Sequence, residues 1–287
     1  MAMIFLNSFS FPTKDDEYNF FVGQKMTCYN SFYPFQVLSE KGISRLDFSH
    51  ITVFYGGNGS GKTTALNIIG ETLGVQRDSL YNRSSFFEEY IRLCNYELNT
   101  SVPENSRIIT SDDVFDYILN VRSVNSGIDG KREELFEEYT ENKYASFQMK
   151  SIDDLDKLKR INSARRSTKS KYVSTNLMKN LREHSNGENA YFYFFEKIQE
   201  NGLYLLDEPE NSLSPARQLE ILEIIEDCAR CLGCQFIIAT HSPFLLSAKG
   251  AEIYDFDCSP IRVKRWTELD SVRLYYDFFK KHDKEFD

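Results

Sequence analysis

The chain has 287 residues, 41% of them hydrophobic and 27% charged, and a formal net charge of −9. Its 23 Phe and 17 Tyr supply more large apolar surface than a disordered chain carries. No apolar run reaches the ~20 residues of a membrane-spanning helix, and the first residues lack the basic start of a signal peptide. Composition therefore predicts a cytoplasmic globular protein of one large or two small domains, with reduced cysteines.

The first third of the chain predicts strands and turns that lead into one buried strand and one helix. Residues 48–55 contain Ile51, Val53 and Phe54 and predict a buried strand that ends at a glycine-rich loop. Apolar residues then recur at helical spacing over 63–73, and Gly74 predicts the end of that helix.

The middle of the chain, residues 80–184, is polar, charged and mostly helical in pattern. Ser111-Asp112-Asp113 is typical of a helix start. Residues 132–142 are acidic, whereas residues 157–182 contain nine basic residues and no acidic ones. The basic stretch either binds nucleic-acid phosphate, pairs with the acidic segment, or forms a solvated loop. Net acidity argues against a dedicated nucleic-acid binder, but a local basic patch is compatible with one.

The last third returns to alternating strands and helices. Buried strands are predicted at 203–206 and 235–239, and an amphipathic helix is predicted at 215–230 between them. Short strands near Ile253 and at 261–263 precede a terminal helix from about Glu268. This pattern predicts an α/β core of strands and helices that is split by a helical insertion.

A phosphate-binding motif lies between the first buried strand and its helix. The run Gly56-Gly57-Asn58-Gly59-Ser60-Gly61-Lys62-Thr63, followed by Thr64, fits G-x-x-x-x-G-K-[ST] in the context that the motif requires. Glycines allow backbone N–H groups to face phosphate oxygens, and the helix directs its positive end at the same place. We expect Lys62 to reach the β- and γ-phosphates of ATP and the Thr63 hydroxyl to ligate Mg²⁺.

Two acids follow the strand at 203–206. A strand buried on both faces delivers its last residues to the carboxyl edge of the sheet, where ligands bind. We therefore expect Asp207 to hold Mg²⁺, directly or through water, and Glu208 to orient or deprotonate the attacking water.

A histidine follows the next strand in the same layout. His241 comes directly after the strand and Thr240. It is expected to hydrogen-bond the γ-phosphate or the water near Glu208, with a purely structural role as the alternative.

These three segments, in this order, resemble ABC-class ATPases. The run 182–188 looks like the signature loop of that family, usually written LSGGQ. Ser185 and Gly187 match its serine and second glycine, whereas Asn186 and Glu188 replace its first glycine and its glutamine. The loop opens a predicted helix rich in aromatic residues, which is the context that the family gives it.

The resemblance implies an ABC-type ATPase head: a P-loop parallel-sheet core with an N-terminal antiparallel β element and an inserted helical lobe. Residues 1–84 and 185–287 would form one discontinuous nucleotide-binding core, and residues 85–184 the lobe that leads into the signature loop. In this family the signature loop of one subunit covers the ATP bound by the other. Carried over to Ser185, Gly187 and Glu188, this implies a head-to-tail homodimer that closes on ATP.

The residues after the acid pair indicate the branch of the family. The run 207–215, Asp-Glu-Pro-Glu-Asn-Ser-Leu-Ser-Pro, resembles the SMC, RecF and OLD branch, and most closely its stand-alone bacterial "AAA family" predicted ATPases. That resemblance implies action with DNA or a partner effector protein, in genome maintenance or phage defence, without membrane contact. The alternatives are the ATPase subunit of an ABC transporter and an ATP-gated protein-binding switch with little turnover.

One family residue is missing from the expected place. Transporter subunits carry a glutamine, downstream of the loop lysine, that contacts Mg²⁺ and the membrane subunit. Ser111-Asp112-Asp113 occupies that distance here, so Asp112 is either a substitute metal or water contact or part of a helix cap.

Two further patterns are ambiguous. Cys228, Cys231 and Cys234 have a spacing that iron–sulfur ligands use, but small buried thiols are favoured because two of them lie on a predicted helix. Tyr33 or Phe35 is the candidate to stack on adenine, with a core role as the default.

Overall fold

The computed structural model of the protein describes residues 4–23, 29, 31–147, 155–179, 186–211 and 213–286. The chain divides into two compact units, Met1–Val114 with Asn186–Asp287, and Phe115–Ser185. The first stretch of the first unit thus extends to Val114, whereas the predicted boundary between the nucleotide-binding core and the inserted lobe follows residue 84. The assignment of functional domains itself stays a prediction.

The first unit is built on a sheet in which six strands pair among the described residues. Its strands are β3 (Ile51–Tyr55), β5 (Arg107–Thr110), β6 (Leu203–Asp207), β7 (Gln235–Thr240), β8 (Glu252–Asp255) and β9 (Arg262–Val263). They lie in the order β5-β6-β7-β3-β8-β9, all parallel except the edge strand β9. Every residue of β3 and β7 is buried, so the sheet is covered on both faces there, as their mostly apolar sequences predict.

A smaller antiparallel sheet packs beside it. It consists of β1 (Leu6–Ser10) between β2 (Arg45–Asp47) and β4 (Asn95–Leu98). The buried side chain of Gln235 joins the two sheets, because its Oε1 accepts from the N–H groups of Phe5 and Leu6, both at 2.9 Å. The predicted mixed α/β fold, with a parallel sheet and an N-terminal antiparallel element, is confirmed.

Helices flank these sheets. In the first unit they are α1 (Lys14–Val22), α2 (Lys62–Leu73), α3 (Phe87–Leu93), α7 (Asn186–Lys197), α8 (Pro215–Cys231) and α9 (Asp270–Lys281), with short 3-10 helices at Ser39–Lys41, Leu245–Ser247, Trp266–Glu268 and Asp283–Glu285. Helix α2 buries most of its residues against the sheet and ends at Gly74, whose φ of 66° is left-handed. The predicted end of this helix is therefore confirmed.

The expectation of a mostly helical segment from residue 80 is wrong at two places. Strands β4 and β5 lie inside it. All four residues of β4 are exposed, so it has no buried face, and β4 and β5 are each only four residues long, too short for a reliable periodic pattern. Both form through pairing with strands distant in sequence, which local periodicity does not report.

The second unit is helical in the ranges that the structure describes. Helix α4 (Ser111–Tyr144) enters it from the first unit, and α5 (Leu155–Arg166) and α6 (Lys169–Asn176) follow. Leu135, Tyr139, Ala164, Tyr172 and Val173 form its small core. Glu138 Oε1 accepts from the hydroxyl of Tyr172 at 3.1 Å and lies 3.7 Å from the guanidinium of Arg160. Acidic and basic segments therefore pair at this point, as one of the sequence alternatives predicts.

Candidate nucleotide-binding site

The loop between β3 and α2 has the backbone of a phosphate cradle. Gly56 has a φ of 158°, and a Cβ there would lie 2.7 Å from Ser60 Oγ. Gly61, with a φ of 99°, is the N-terminal cap of α2, a left-handed position that favours glycine. Helix α2 thus begins with free N–H groups directed out of its first turn, which suits an anion.

Lys62 lies within this loop. Its side chain is buried, at 3% exposed, and its Nζ donates to the carbonyl oxygens of Gly56 at 2.7 Å and Gly57 at 3.0 Å. The Ser60 hydroxyl is also buried and has no hydrogen-bond partner among the described residues. An ammonium group and an unpaired hydroxyl inside one loop are suited to phosphate oxygens.

The Thr63 hydroxyl donates to Asp207 Oδ1 at 3.0 Å. Asp207 ends β6, and Thr63 lies in the first turn of α2, so the two predicted magnesium ligands lie together. Burial raises the pKa of Asp207 to about 6, and the hydrogen bond from Thr63 opposes that rise. A hydroxyl and a carboxylate are the hard oxygen donors that fit Mg²⁺.

Glu208 follows β6 and His241 follows β7. These two parallel strands are neighbours in the sheet, so the two residues lie at adjacent strand ends. Glu208 has a left-handed φ of 48°, and its N–H donates to the Ala239 carbonyl at 2.9 Å. Its Oε2 accepts from the Asn211 side chain at 3.0 Å, and its Oε1 lies 4.0 Å from His241 Nδ1. The sheet topology thus brings the predicted base and the predicted histidine together beside the loop.

Glu210 is a site residue that the sequence did not assign. It is 6% exposed, and its Oε1 accepts from the Thr240 hydroxyl and from the N–H groups of His241 and Ser242. His241 Nδ1 lies 3.6 Å from the same oxygen. The one sequence feature that could have indicated Glu210 is that it is a further acid, two residues after the Asp207-Glu208 pair.

A cavity of about 450 Å³ lies beside Thr63 and Asp207. It is lined by Tyr33, Thr63, Thr64, Asn67, Arg77, Leu80, Tyr81, Asn82, Thr110, Ser111, Asp112 and Asp207. Asp112 therefore lies near both predicted ligands. The helix start is capped by other residues, because Asp113 Oδ2 accepts from the N–H of Thr110 at 2.7 Å. Asp112 is left available for a metal or water contact, and that role stays a prediction.

Arg77 is a second lining residue that the sequence did not single out. Its guanidinium lies 4.2 Å from the centre of the Tyr81 ring and donates to Asn67 Oδ1 at 2.8 Å. The sequence shows an arginine shortly after the motif helix but does not indicate that its side chain lines the cavity, because that depends on the fold.

Asp257 also contacts the phosphate loop. The N–H of Gly57 donates to both of its carboxylate oxygens, each at 3.0 Å. The two residues are 200 positions apart in the chain, so no local sequence signal relates them.

The two aromatic residues considered for stacking on adenine lie in different surroundings. The Tyr33 hydroxyl donates to Thr64 Oγ1 at 3.3 Å, so Tyr33 lies next to the motif helix. Phe35 is buried and stacks on Phe20 with ring centres 4.5 Å apart, which is a core position.

The signature residues are described in part. Gly187 and Glu188 lie in the first turn of α7, and Glu188 Oε1 lies 3.7 Å from the Arg217 guanidinium on α8. Glu188 does not line the cavity beside Thr63. Ser185 lies outside the described residues.

The cysteines differ in exposure. Cys228 and Cys234 are buried, whereas Cys231 is exposed. Burial at two of the three positions agrees with the expectation of small buried thiols.

A protein-family model matches part of the chain. Residues 181–247 match a family model described as "AAA domain, putative AbiEii toxin, Type IV TA system". No curated protein matches the chain. None of the helices in the described ranges combines the length and apolarity needed to cross a membrane.

Solved structures align with most of the chain at low identity. The SMC head domain of Pyrococcus furiosus, bound to the C-terminal domain of ScpA, is 14% identical over 82% of this chain and 94% of that one, with a TM-score of 0.41. The ATP-binding cassette MJ0796, a dimer bound to ADP and Pi, is 15% identical over 78% and 89%, with a TM-score of 0.37.

The family match covers β6 and β7, with Asp207 at the end of β6, Glu208 after it and His241 after β7. The phosphate loop lies outside the match but takes the expected place between β3 and α2. This match confirms the predicted resemblance to AAA-family ATPases for residues 181–247.

Proposed function

We propose that this protein binds ATP with Mg²⁺ and hydrolyses it to ADP and phosphate. The observation that carries the proposal is the 3.0 Å contact between the Thr63 hydroxyl and the Asp207 carboxylate, next to the buried ammonium of Lys62. Two hard oxygen ligands and one cation, at the N-terminus of a helix, suit a magnesium-bound triphosphate.

The residues have separable roles in this proposal. Lys62 and the N–H groups of residues 56–64 hold the phosphates and stabilise the charge that develops on them. Mg²⁺, held by Thr63 and Asp207 with Asp112 as a further candidate, would neutralise charge on the β- and γ-phosphates. Glu208 positions the attacking water, and His241 donates to the γ-phosphate.

The proposal extends to a head-to-tail homodimer. One phosphate loop covers one side of a triphosphate, so donors for the exposed γ-phosphate have to come from elsewhere. Ser185, Gly187 and Glu188 of a second copy would supply them. The side chain of His241 is 50% exposed, which leaves room for a substrate between two copies. Residues 1–84 and 185–287 would form the ATPase core of each subunit, and residues 85–184 its lobe.

The biological setting that we propose is action with DNA or a partner effector protein, in genome maintenance or phage defence. Two features support it: the run 207–215 after the acid pair and the basic helices α5 and α6.

Lys62→Ala tests the nucleotide site. Because hydrogen bonds to charged groups contribute about 1.5–3 kcal/mol, we expect ATP affinity to fall about 10- to 100-fold while the fold survives. Equilibrium binding of a fluorescent ATP analogue and a thermal melt measure the two quantities. Lys249→Ala, at a lysine with 90% side-chain exposure, is the matched control. Retained ATP affinity in Lys62→Ala would rule out the proposed phosphate site.

A further inference from the structure

Glu210 connects the turn after β6 to the loop after β7. Its Oε1 accepts three hydrogen bonds: from the Thr240 hydroxyl at 2.6 Å, the His241 N–H at 2.9 Å and the Ser242 N–H at 3.2 Å. Hydrogen bonds to an ionised acceptor are about twice as strong as neutral ones. A single carboxylate oxygen therefore fixes three consecutive residues around His241.

The second carboxylate oxygen of Glu210 is not needed for this connection. Oε2 is buried and has no hydrogen-bond partner among the described residues. Burying a polar atom without a partner is costly, and a neutral side-chain oxygen would satisfy the same three donors. A purely structural link would not require a carboxylate here, so the residue type indicates a further role.

The geometry at His241 indicates that role. Its Nδ1 lies 3.6 Å from Glu210 Oε1, so the same oxygen faces both the backbone and the ring of the histidine. On the far side of the loop, the Ser242 hydroxyl donates to Gln218 Oε1 at 2.6 Å. The backbone is thus held from two sides, and Nδ1 faces Glu210 at 3.6 Å and Glu208 Oε1 at 4.0 Å. Nε2 is the ring nitrogen left for a substrate.

We infer that Glu210 is a positioning residue that holds the His241 backbone and ring in the orientation required for ATP hydrolysis. It acts through His241 and sets kcat, whereas Lys62 and the phosphate loop set ATP affinity. The inference rests on the proposed function, because it assigns His241 a part in the reaction.

A double-mutant cycle with His241→Ala tests this role. Displacing a catalytic group by about 1 Å costs up to about 100-fold in rate, so we expect Glu210→Ala to lower kcat about 30- to 100-fold with KM for ATP nearly unchanged. Glu210→Gln keeps the acceptor without its charge, and should lose about 3- to 10-fold in kcat. In the His241→Ala background, Glu210→Ala should change kcat by less than about 3-fold, because residues that act as a unit are not additive.

Two further variants distinguish a loss of catalysis from a loss of folding. Thr240→Val removes one of the three donors at nearly constant volume and should lower kcat less than Glu210→Ala does. Glu223→Gln, at an exposed carboxylate on α8, should leave kcat and the melting temperature unchanged. If Glu210→Ala does not fold, the cycle is measured with Glu210→Gln.

The outcomes separate the two proposals. A wild-type protein that binds ATP without releasing phosphate would overturn the proposed function, and the inference with it. An active wild type in which Glu210 variants retain full kcat, or lose as much in the His241→Ala background as in the wild type, would overturn the inference alone.

Discussion

Asp207 is subject to two opposing requirements. A magnesium ligand has to be ionised, whereas burial at the end of β6 disfavours the charge and raises the pKa of Asp207 to about 6. The Thr63 hydroxyl offsets part of that cost. Without a bound cation, the ionised carboxylate is therefore a destabilising feature of the folded protein, as is common where a site is arranged for a ligand.

This cost predicts a pH-dependent effect of Asp207→Asn in the metal-free protein. Between the usual pKa of 3.8 and about 6, the unfolded chain ionises Asp207 while the folded chain keeps the proton. The stability of the folded protein therefore falls as pH rises through this window. Asparagine never ionises, so we expect the variant to gain on the order of 1 kcal/mol at pH 7, about 2–4 °C in Tm, and little at pH 4.

Thermal melts of both proteins in a chelator, at pH 4 and pH 7, measure this difference. A Tm difference that does not grow with pH would contradict the raised pKa of Asp207. With Mg²⁺ and ATP present the order should reverse, because the variant lacks the carboxylate that holds the cation.

At the scale of elements, α5 and α6 place apolar and basic residues on different sides. Ala164, Tyr172 and Val173 are buried in the core of the second unit, whereas Arg166 and Lys171 are exposed. Arg160 is near Glu138, so part of the basic charge is already neutralised. The exposed cations are the ones suited to nucleic-acid phosphate.

Because these cations are exposed, we expect salt-dependent binding of duplex DNA to α5 and α6. Replacing Arg166 and Lys171 by serine should weaken binding on all sequences and reduce the slope of log K against log salt by about 1 for each lost phosphate contact. Lys131→Ser, at a lysine paired with Glu134 on α4, is the control and should leave the slope unchanged. Fluorescence anisotropy over a salt series measures the slope. Wild-type protein that neither binds duplex DNA nor changes its ATP turnover with it would exclude DNA as a partner.

At the scale of the whole molecule, the proposed site is open on one side. His241 is half exposed, and Glu188 lies against Arg217 and not in the cavity beside Thr63. In the proposed homodimer, donors from a second copy would complete this site.

This incompleteness predicts an ATP-dependent dimer. In Glu208→Gln, slow hydrolysis should hold the closed state, so light scattering with Mg²⁺ and ATP should give twice the 33.5 kDa mass of the chain. With ADP, or with Lys62→Ala added, the mass should be that of a single chain. A single-chain mass for Glu208→Gln at saturating ATP would contradict the homodimer.

The chemistry of the strand ends can be predicted from local sequence alone. The runs that form β3, β6 and β7 are mostly apolar and almost entirely buried, because strands covered on both faces bury nearly every side chain, and such runs can be recognised without a structure. The glycine pattern of the loop is equally local, since left-handed backbone at Gly61 restricts the residue type. Lys62, Asp207 and His241 could therefore be named in advance.

The distant residues that contact Lys62, Asp207 and His241 or their neighbours depend on how the whole core folds. Glu210 reaches His241 because β6 and β7 are neighbours in the sheet, and Asp257 reaches Gly57 across 200 positions of the chain. Strands β4 and β5 form by pairing with β1 and β6, and each is only four residues long, too short for its own residues to predict it. Strand order and long-range pairing depend on the packing of the whole core, whereas sequence patterns report only the surroundings of each segment.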